Sequence, residues 1–219
     1  FLTPQTLIVA ISQSGRSIEI IRLLDVLENL PAPAPVIGIT NTVGSPLETR
    51  STLALVTQAT EEDSVSTKTY TCALATLNLL CCVVTGTPLD EMAKKLLQAA
   101  DIIESNIPIW KQQATEIAEH IFPQMRFMEF IGRGSARTSA LTAALITKET
   151  AKLPTEGMIG GQFRHGPIEV VDEKVAIVIF MGTGNARVLN DALAHDLVLR
   201  GGHVIAIGAN VSTPSSINI

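Results

Sequence analysis

The chain alternates short apolar runs with segments whose apolar residues recur every three or four positions. The runs, rich in Val, Ile and Leu, predict strands at residues 6–11, 36–40, 53–58, 127–131, 175–181 and 203–207. Helical periodicity predicts helices at residues 18–30, 46–50, 69–84, 89–106, 109–121, 139–151 and 187–199. Because strands that alternate with helices usually pair in parallel, the pattern predicts a layered α/β fold.

The same order of elements occurs twice along the chain. In each half, an apolar strand leads into a loop rich in Ser and Gly and then into a helix. This repeat of architecture predicts a first lobe at residues 1–88, a more charged helical connector at 89–122 and a second lobe at 123–219. Two Gly-x-Gly pairs, the first beginning at Gly132, lack the third glycine and the later acidic residue of a dinucleotide site. We therefore expect no Rossmann cofactor site.

Composition narrows the class of protein. Hydrophobic residues make up 46% of the chain and aromatic residues only 4%, which is typical of strands covered by helices on both faces. The formal net charge is -5 and there is no dense run of Lys and Arg, which argues against nucleic acid or an anionic membrane as the main partner. No apolar run is expected to span a membrane and no signal peptide is recognised, so we expect a cytoplasmic protein.

Two further features concern the chain's start and its thiols. The sequence begins with Phe1 and runs directly into a strand, so we expect it to be incomplete at the front. Its cysteines, Cys72, Cys81 and Cys82, lie in an apolar helical stretch and are expected to be reduced core residues. No pair of histidines has the spacing of a metal site, and we expect neither a metal nor an organic cofactor.

The loop after the first strand carries three hydroxyls. Ser12, Ser14 and Ser17 surround Gly15 just before a predicted helix, where backbone N–H groups and the positive end of the helix dipole favour a phosphate. Serine is also a common N-cap residue, so the hydroxyls could equally cap the helix. The residues alone leave both interpretations open.

Two residues of the second half can move protons. Glu149 lies in a helix among Ala, Leu, Ile and Thr, and partial burial there would raise its pKa and make it a stronger base. The alternative is a surface carboxylate paired with Lys148 or Lys152. His165 lies in residues 160–167, a segment that is too rich in Gly to predict a helix.

Five sequence blocks together resemble the sugar isomerase (SIS) family. They are Ser12-Gln13-Ser14-Gly15, Ser66-Thr67-Lys68, Phe130-Ile131-Gly132-Arg133-Gly134, Lys148-Glu149 and Arg164-His165-Gly166-Pro167. The likeness extends to the isomerase half of glucosamine-6-phosphate synthase and to fructosamine-6-phosphate deglycases. It implies two SIS lobes, each a parallel sheet flanked by helices in a three-layer, flavodoxin-like arrangement. Against that template the first and last elements are missing.

The resemblance also implies roles for individual residues. Residues of the first loop would hold the sugar phosphate, and others would line the substrate. The implied phosphate ligands are Ser12, Gln13, Ser14 and Ser17, and the implied lining residues are Ser64, Ser66 and Gly132. Glu149 would be the enolising base, and His165 would be the acid/base that opens the sugar ring, often from a partner subunit.

The departures from the synthase favour another reaction. Thr142 and Ile146 stand where the synthase has Glu and Lys, and no counterpart of its tail lysine or amidotransferase domain is recognised. We therefore expect a deglycase or deaminase that releases an amine from an amino-sugar or glycated amino acid 6-phosphate by enolisation. The alternatives are an aldose–ketose phosphosugar isomerase and a non-catalytic phosphosugar sensor. The apolar helices at 69–84 and 141–151 predict a homodimer or higher homo-oligomer, with a shared active site as in the family.

Overall fold

A computed structural model describes residues 2–3, 5–32, 34–208 and 217–218. The chain forms two compact units, Phe1–Ile102 and Ile103–Ile219. Each unit contains a parallel sheet flanked by helices, which confirms the predicted fold class.

The first unit has a three-stranded sheet in the order β1-β2-β3. Its elements are β1 (Ile8–Ile11), α1 (Ile18–Glu28), β2 (Val36–Thr40), α2 (Pro46–Arg50), β3 (Leu53–Val56) and α3 (Lys68–Thr85). Leu24 and Leu27 of α1 pack with Leu47 of α2 against Ala10 and Val36 of the sheet. Burial of these side chains fixes both helices on one face of the sheet.

Strand β1 departs from the expectation of burial on both faces. Ala10 is buried, but Val9 and Ile11 on the opposite face are 41% and 47% exposed. Among the strands that the structure describes, β1 also lies at the edge of its sheet, with a neighbouring strand on one side only. The described part of the chain therefore leaves some of the apolar surface of this strand uncovered.

Two long helices also differ from the sequence prediction. Helix α4 (Leu89–His120) runs through Pro108 as a single helix, where two helices were predicted. Proline removes one backbone donor, but the remaining turns of a long helix continue the hydrogen-bond ladder on either side.

Helix α3 is long and apolar enough to cross a membrane by length and composition alone, which the sequence reading missed. In this helix Cys82 is buried but Cys81 is exposed, so only part of the cysteine prediction holds.

The second unit has a five-stranded sheet in the order β5-β4-β6-β7-β8. Its elements are β4 (Phe127–Gly132), α5 (Ala136–Ala151), β5 (Thr155–Ile159), α6 (Gly160–Arg164), β6 (Val175–Phe180), α7 (Gly184–Leu199), β7 (His203–Ile207) and β8 (Ile217–Asn218), with 3-10 turns at Phe122–Gln124 and Pro167–Val170. This is the strand order of flavodoxin-like sheets, in which ligands bind beyond the carboxyl ends of the strands.

Strand β4 has a different core on each face. Ile131 packs with Ile177, Ile179 and Leu193 on one face, while Met128 packs with a separate cluster on the other. Glu129 lies on the Ile131 face and is only 1% exposed. A carboxyl group is thus built into an otherwise apolar strand, where its ionised form is costly.

Replacing Glu129 with Gln should remove a pH dependence of stability. Burial first, and the Glu156 carboxylate second, raise the pKa of Glu129 to about 8 from an ordinary value of 4.5. Between these values the folded state keeps a proton that the unfolded chain releases. The free energy of unfolding should therefore fall as pH rises through this window, by at most about 1.4 kcal/mol per pH unit.

Trp110, the single tryptophan, lies in the second unit and reports its unfolding in urea. The Glu129→Gln variant should show a flatter profile between pH 5 and pH 8, whereas the exposed-residue control Glu173→Gln should keep the slope. A flat profile in the unsubstituted protein would contradict the prediction.

Candidate functional site

The turn after β1 is held by its own serine hydroxyls. The Gly15 amide donates to Ser12 Oγ at 3.2 Å, and the Arg16 amide donates to Ser14 Oγ at 3.3 Å. Both hydroxyls act here as acceptors, so their O–H hydrogens remain able to donate to a ligand. Arg16 itself is exposed beside them.

The loop between β2 and α2 fixes this turn from behind. Gly15 has φ +61°, and a Cβ there would lie 2.4 Å from Ser45 Oγ, so only glycine fits. The Gln13 carbonyl accepts from the Asn41 amide at 2.9 Å and from Thr40 Oγ1 at 3.1 Å. The backbone of residues 12–17 is therefore set before any ligand arrives.

Ser17 begins helix α1 but does not use its side chain to cap it. Its backbone is extended and its hydroxyl is exposed, while the Ser17 carbonyl accepts from the Ile21 amide at 3.1 Å. The interpretation that the Ser17 hydroxyl caps the helix is therefore wrong, and its role toward an anion stays a prediction. The adjoining first turn of α1 presents backbone N–H groups at the positive end of the helix.

The segment before α3 is organised by Glu62, which the sequence reading did not single out. Its carboxylate accepts from the backbone amides of Thr67, Lys68 and Thr69 at 2.8, 2.6 and 3.1 Å, and from the Thr69 hydroxyl. Burial alone would raise the pKa of Glu62, but these hydrogen bonds outweigh it and lower the pKa to about 2. Glu62 thus satisfies the amino end of α3 as a permanent anion.

Ser64 and Ser66, the predicted lining residues, are exposed in this segment. A neighbouring cleft of about 570 Å³ contains Gln13, and neither serine is among its described lining residues. Its other walls are Asn41, Thr42, Val43, Val56, Gln58, Thr60, Glu61, Glu62 and Asp63. Gln58 and Thr60 both have positive φ, at +52° and +63°. The cleft is therefore built on sparsely populated backbone conformations, which cost energy outside glycine.

In the second unit, Gly132 lets β4 and α5 approach closely. A Cβ at Gly132 would lie 2.1 Å from the Ala136 carbonyl oxygen. The next residue, Arg133, donates from Nε to Asn190 Oδ1 at 2.9 Å, and burial followed by repulsion from Arg164 lowers the pKa of Arg133. Asn190 is fully buried and donates to the carbonyls of Phe180 and Met181.

This hydrogen-bonded chain joins the ends of β4 and β6, which are neighbours in the sheet. The Arg133 guanidinium also packs over Gly160, where a Cβ would come within 2.9 Å of it. The sequence reading missed Arg133 and Asn190 as positioning residues, because no local pattern connects positions 57 residues apart.

Glu149 and His165 are both exposed, so the expected partial burial of Glu149 is wrong for the described chain. Among the described ion pairs none involves the Glu149 carboxylate, and Lys152 Nζ donates to the Glu149 backbone carbonyl at 2.6 Å instead. His165 ends the short helix α6, which corrects the prediction that residues 160–167 form no helix. No described hydrogen bond joins the side chains of Glu149 and His165.

Replacing Ser17 with Ala should change stability little, because its hydroxyl caps nothing. Ser45 is the matched control, since its side chain accepts from the Glu48 amide at 3.3 Å at the start of α2. We expect Ser17→Ala to alter the opening free energy of β2 by less than about 0.5 kcal/mol and Ser45→Ala to lower it by about 1 kcal/mol. Amide hydrogen exchange in β2 measures both, and equal losses would show that Ser17 is a structural cap.

Comparisons with known proteins agree with this architecture. A family model described as SIS domain matches residues 1–83 and 124–216. The isomerizing glutamine–fructose-6-phosphate aminotransferase of Pyrococcus horikoshii is 28% identical over 214 residues, which cover 96% of this chain and 35% of that protein. The chain thus spans about a third of the length of the curated relatives it matches.

Solved structures share the fold. The C-terminal domain of glucosamine-fructose-6-phosphate aminotransferase from Francisella tularensis has a TM-score of 0.81 at 25% identity, covering 97% of this chain and 64% of that one. Glucosamine-6-phosphate deaminase from Thermotoga maritima has a TM-score of 0.79 at 21% identity, covering 99% of this chain and 65% of that one. Matched by the family model over most of its length, the chain belongs to the SIS domain family.

Proposed function

We propose that this protein binds a sugar 6-phosphate and releases an amine from it by enolisation, as a deglycase or deaminase. The observation that carries the phosphate half of the proposal is the turn at residues 12–17. Its backbone is preset, the Ser17 hydroxyl is not used as a cap, and the amino end of α1 adjoins it. Oriented N–H and O–H donors at a helix start are the usual means of holding a phosphate dianion.

Arg16 adds a cation beside these donors. Its side chain is exposed next to Ser14 and Ser17, and a guanidinium pairs well with a phosphate or with a carboxylate on the substrate. A glycated amino acid 6-phosphate carries both kinds of anion. The substrate class that combines these charges is therefore the one we favour.

The chemistry needs a base and an acid in the second unit. In the proposed reaction Glu149 removes the proton from the amine-bearing carbon next to the carbonyl of the substrate. His165 then protonates the resulting enolamine at the former carbonyl carbon, which leaves an imine. The proton moves along the carbon chain without net oxidation, and added water then releases the amine and a hexose 6-phosphate. These reaction steps require no metal and no organic cofactor.

The exposure of Glu149 points to a second copy of the chain. Leu141, Leu145 and Glu149 follow one another at four-residue intervals, and both leucines are exposed, at 45% and 54%. Residues at this spacing share one face of a helix. A partner subunit that covered the two leucines would also remove Glu149 from water, and a carboxylate removed from water is a stronger base. We therefore place the working site in a homodimer or higher homo-oligomer.

Substituting Glu149 with Gln should abolish turnover of a fructosamine 6-phosphate while leaving its binding intact. Loss of the base should lower kcat by at least about a hundredfold, whereas Kd should stay within about twofold. Product analysis and calorimetry measure the two quantities. The control Glu119→Gln changes an exposed carboxylate on α4 and should keep full activity.

Undiminished turnover by Glu149→Gln would exclude the mechanism. Conversion of fructosamine 6-phosphate to an isomeric sugar phosphate without amine release would favour the isomerase alternative. Tight binding with no turnover by the unsubstituted protein would favour a sensor.

Introducing a charge at Leu145 should separate the subunits. We expect Leu145→Glu to shift the molar mass measured by light scattering to that of one chain and to lower kcat at least about tenfold, because Glu149 would remain solvated. Val188→Glu is the matched control, since Val188 is an apolar residue of α7 that is 67% exposed. A monomeric Leu145→Glu variant with full activity would contradict a shared site.

A further inference from the structure

A cavity of about 500 Å³ lies against the five-stranded sheet, toward the amino ends of its strands. Its walls include Phe127 and Glu129 from β4, Met158 from β5, Val175 from β6 and Pro167 from the 3-10 turn that precedes β6. This volume is in the range of small-molecule sites. Gly132 and helix α5 follow the carboxyl end of β4, whereas the cavity adjoins the turn that begins at Pro167, two residues after His165.

Glu129 lines this cavity from β4. It is 1% exposed, and within the described part of the chain its Oε1 atom is buried without a hydrogen-bond partner. A buried carboxyl oxygen without a donor loses its hydration and gains nothing in return. Native proteins rarely leave such a group unless something else pairs with it.

A second carboxyl group lies beside the first. Glu156 is the register partner of Glu129 on the adjacent parallel strand and stands at the exposed side of the cavity. Arg126 also lines the cavity, but its Nη2 donates to the Val170 carbonyl at 2.9 Å and to Asp172 Oδ2 at 2.8 Å. The described walls therefore present two carboxyl groups and one guanidinium whose charge is already paired.

We propose that this cavity binds a primary amine carrying a hydrocarbon body. An ammonium group has three N–H donors and can serve both Glu129 and Glu156, while the hydrocarbon packs on Phe127, Met158 and Val175. A metal ion is disfavoured, because the described residues contain no group of three or more side chains that could ligate one. This inference does not depend on the proposed sugar chemistry.

Binding should strengthen as Glu129 ionises. The groups that face it are the Glu156 carboxylate and the Arg126 guanidinium with its partner Asp172. Burial, followed by the charge of Glu156, raises the pKa of Glu129 to about 8. Primary amines stay protonated through this range. Affinity for an amine should therefore rise between pH 6.5 and pH 8.5.

The test compares hexylamine with hexanol, which share a hydrocarbon chain and differ in charge. In protein labelled at the methionine methyl groups, hexylamine should shift the Met158 resonance, since Met158 lines the cavity. Met128 lies on the opposite face of the sheet and serves as the internal control. Hexanol at equal concentration should leave both resonances in place. A Met158 shift of equal size with hexanol would overturn the proposal.

Two variants sharpen the test. Glu129→Gln should weaken hexylamine binding by about tenfold or more and should remove its pH dependence, and Glu173→Gln should change neither. An unchanged hexylamine Kd in Glu129→Gln would overturn the assignment, as would an unmoved Met158 resonance in the unsubstituted protein. Because the comparison of amine with alcohol uses the unsubstituted protein, it decides the matter even if a variant folds poorly.

Discussion

In both units every described strand pair runs parallel, and this direction decides where loops can meet. Parallel pairing sends the carboxyl ends of all strands in a sheet to one edge. In the first unit the turn at residues 12–17 and the loop at 41–45 leave that edge together, which is why Gln13 is held by Thr40 and Asn41. In the second unit the same geometry lets Arg133 reach Asn190.

The second unit has two different polar arrangements along one strand. The carboxyl end of β4 carries Gly132 and Arg133, in a close-packed and hydrogen-bonded loop. The third of its six residues is Glu129, which is buried without a partner for Oε1 among the described residues. In the loop after β4, the Arg133 side chain hydrogen-bonds to Asn190 and so fixes the loop. The second arrangement leaves a polar group unsatisfied, which natural cores tolerate mainly where a ligand or a function requires it.

Much of the fold could be predicted from the sequence because local pattern and tertiary structure agree. The strands Val36–Thr40 and His203–Ile207 lie where the apolar runs placed them, between clear turn signals. Strand β5 was missed because Glu156 and Gly157 interrupt its apolar character. Helix α6 was missed because Gly160 and Gly161 begin it, and α4 was divided because Pro108 lies inside it.

The candidate site was less accessible to sequence reasoning. The spacing of the serines identified the turn at residues 12–17. Only the geometry shows that the Ser45 side chain caps its helix whereas the Ser17 side chain does not. Helical periodicity placed Glu149 correctly on α5, yet it says nothing of what covers that face, and the carboxylate is exposed. Burial of a side chain depends on distant segments and on other subunits, which a local pattern does not encode.

Within the described part of the chain, strand β5 lies at one edge of its sheet, and the backbone N–H and C=O groups on its outer side have no neighbouring strand. An exposed edge strand can pair with a strand of another molecule and start aggregation. Natural sheets prevent this pairing with charged residues and proline at the edge. Pro154 immediately before β5 and the exposed Glu156 within it supply both. The Glu156 carboxylate, which raises the pKa of the neighbouring Glu129, therefore also protects the edge of the sheet against aggregation. An apolar residue at position 156 would remove the repulsion of Glu129 but would make the edge strand more prone to pair with other molecules.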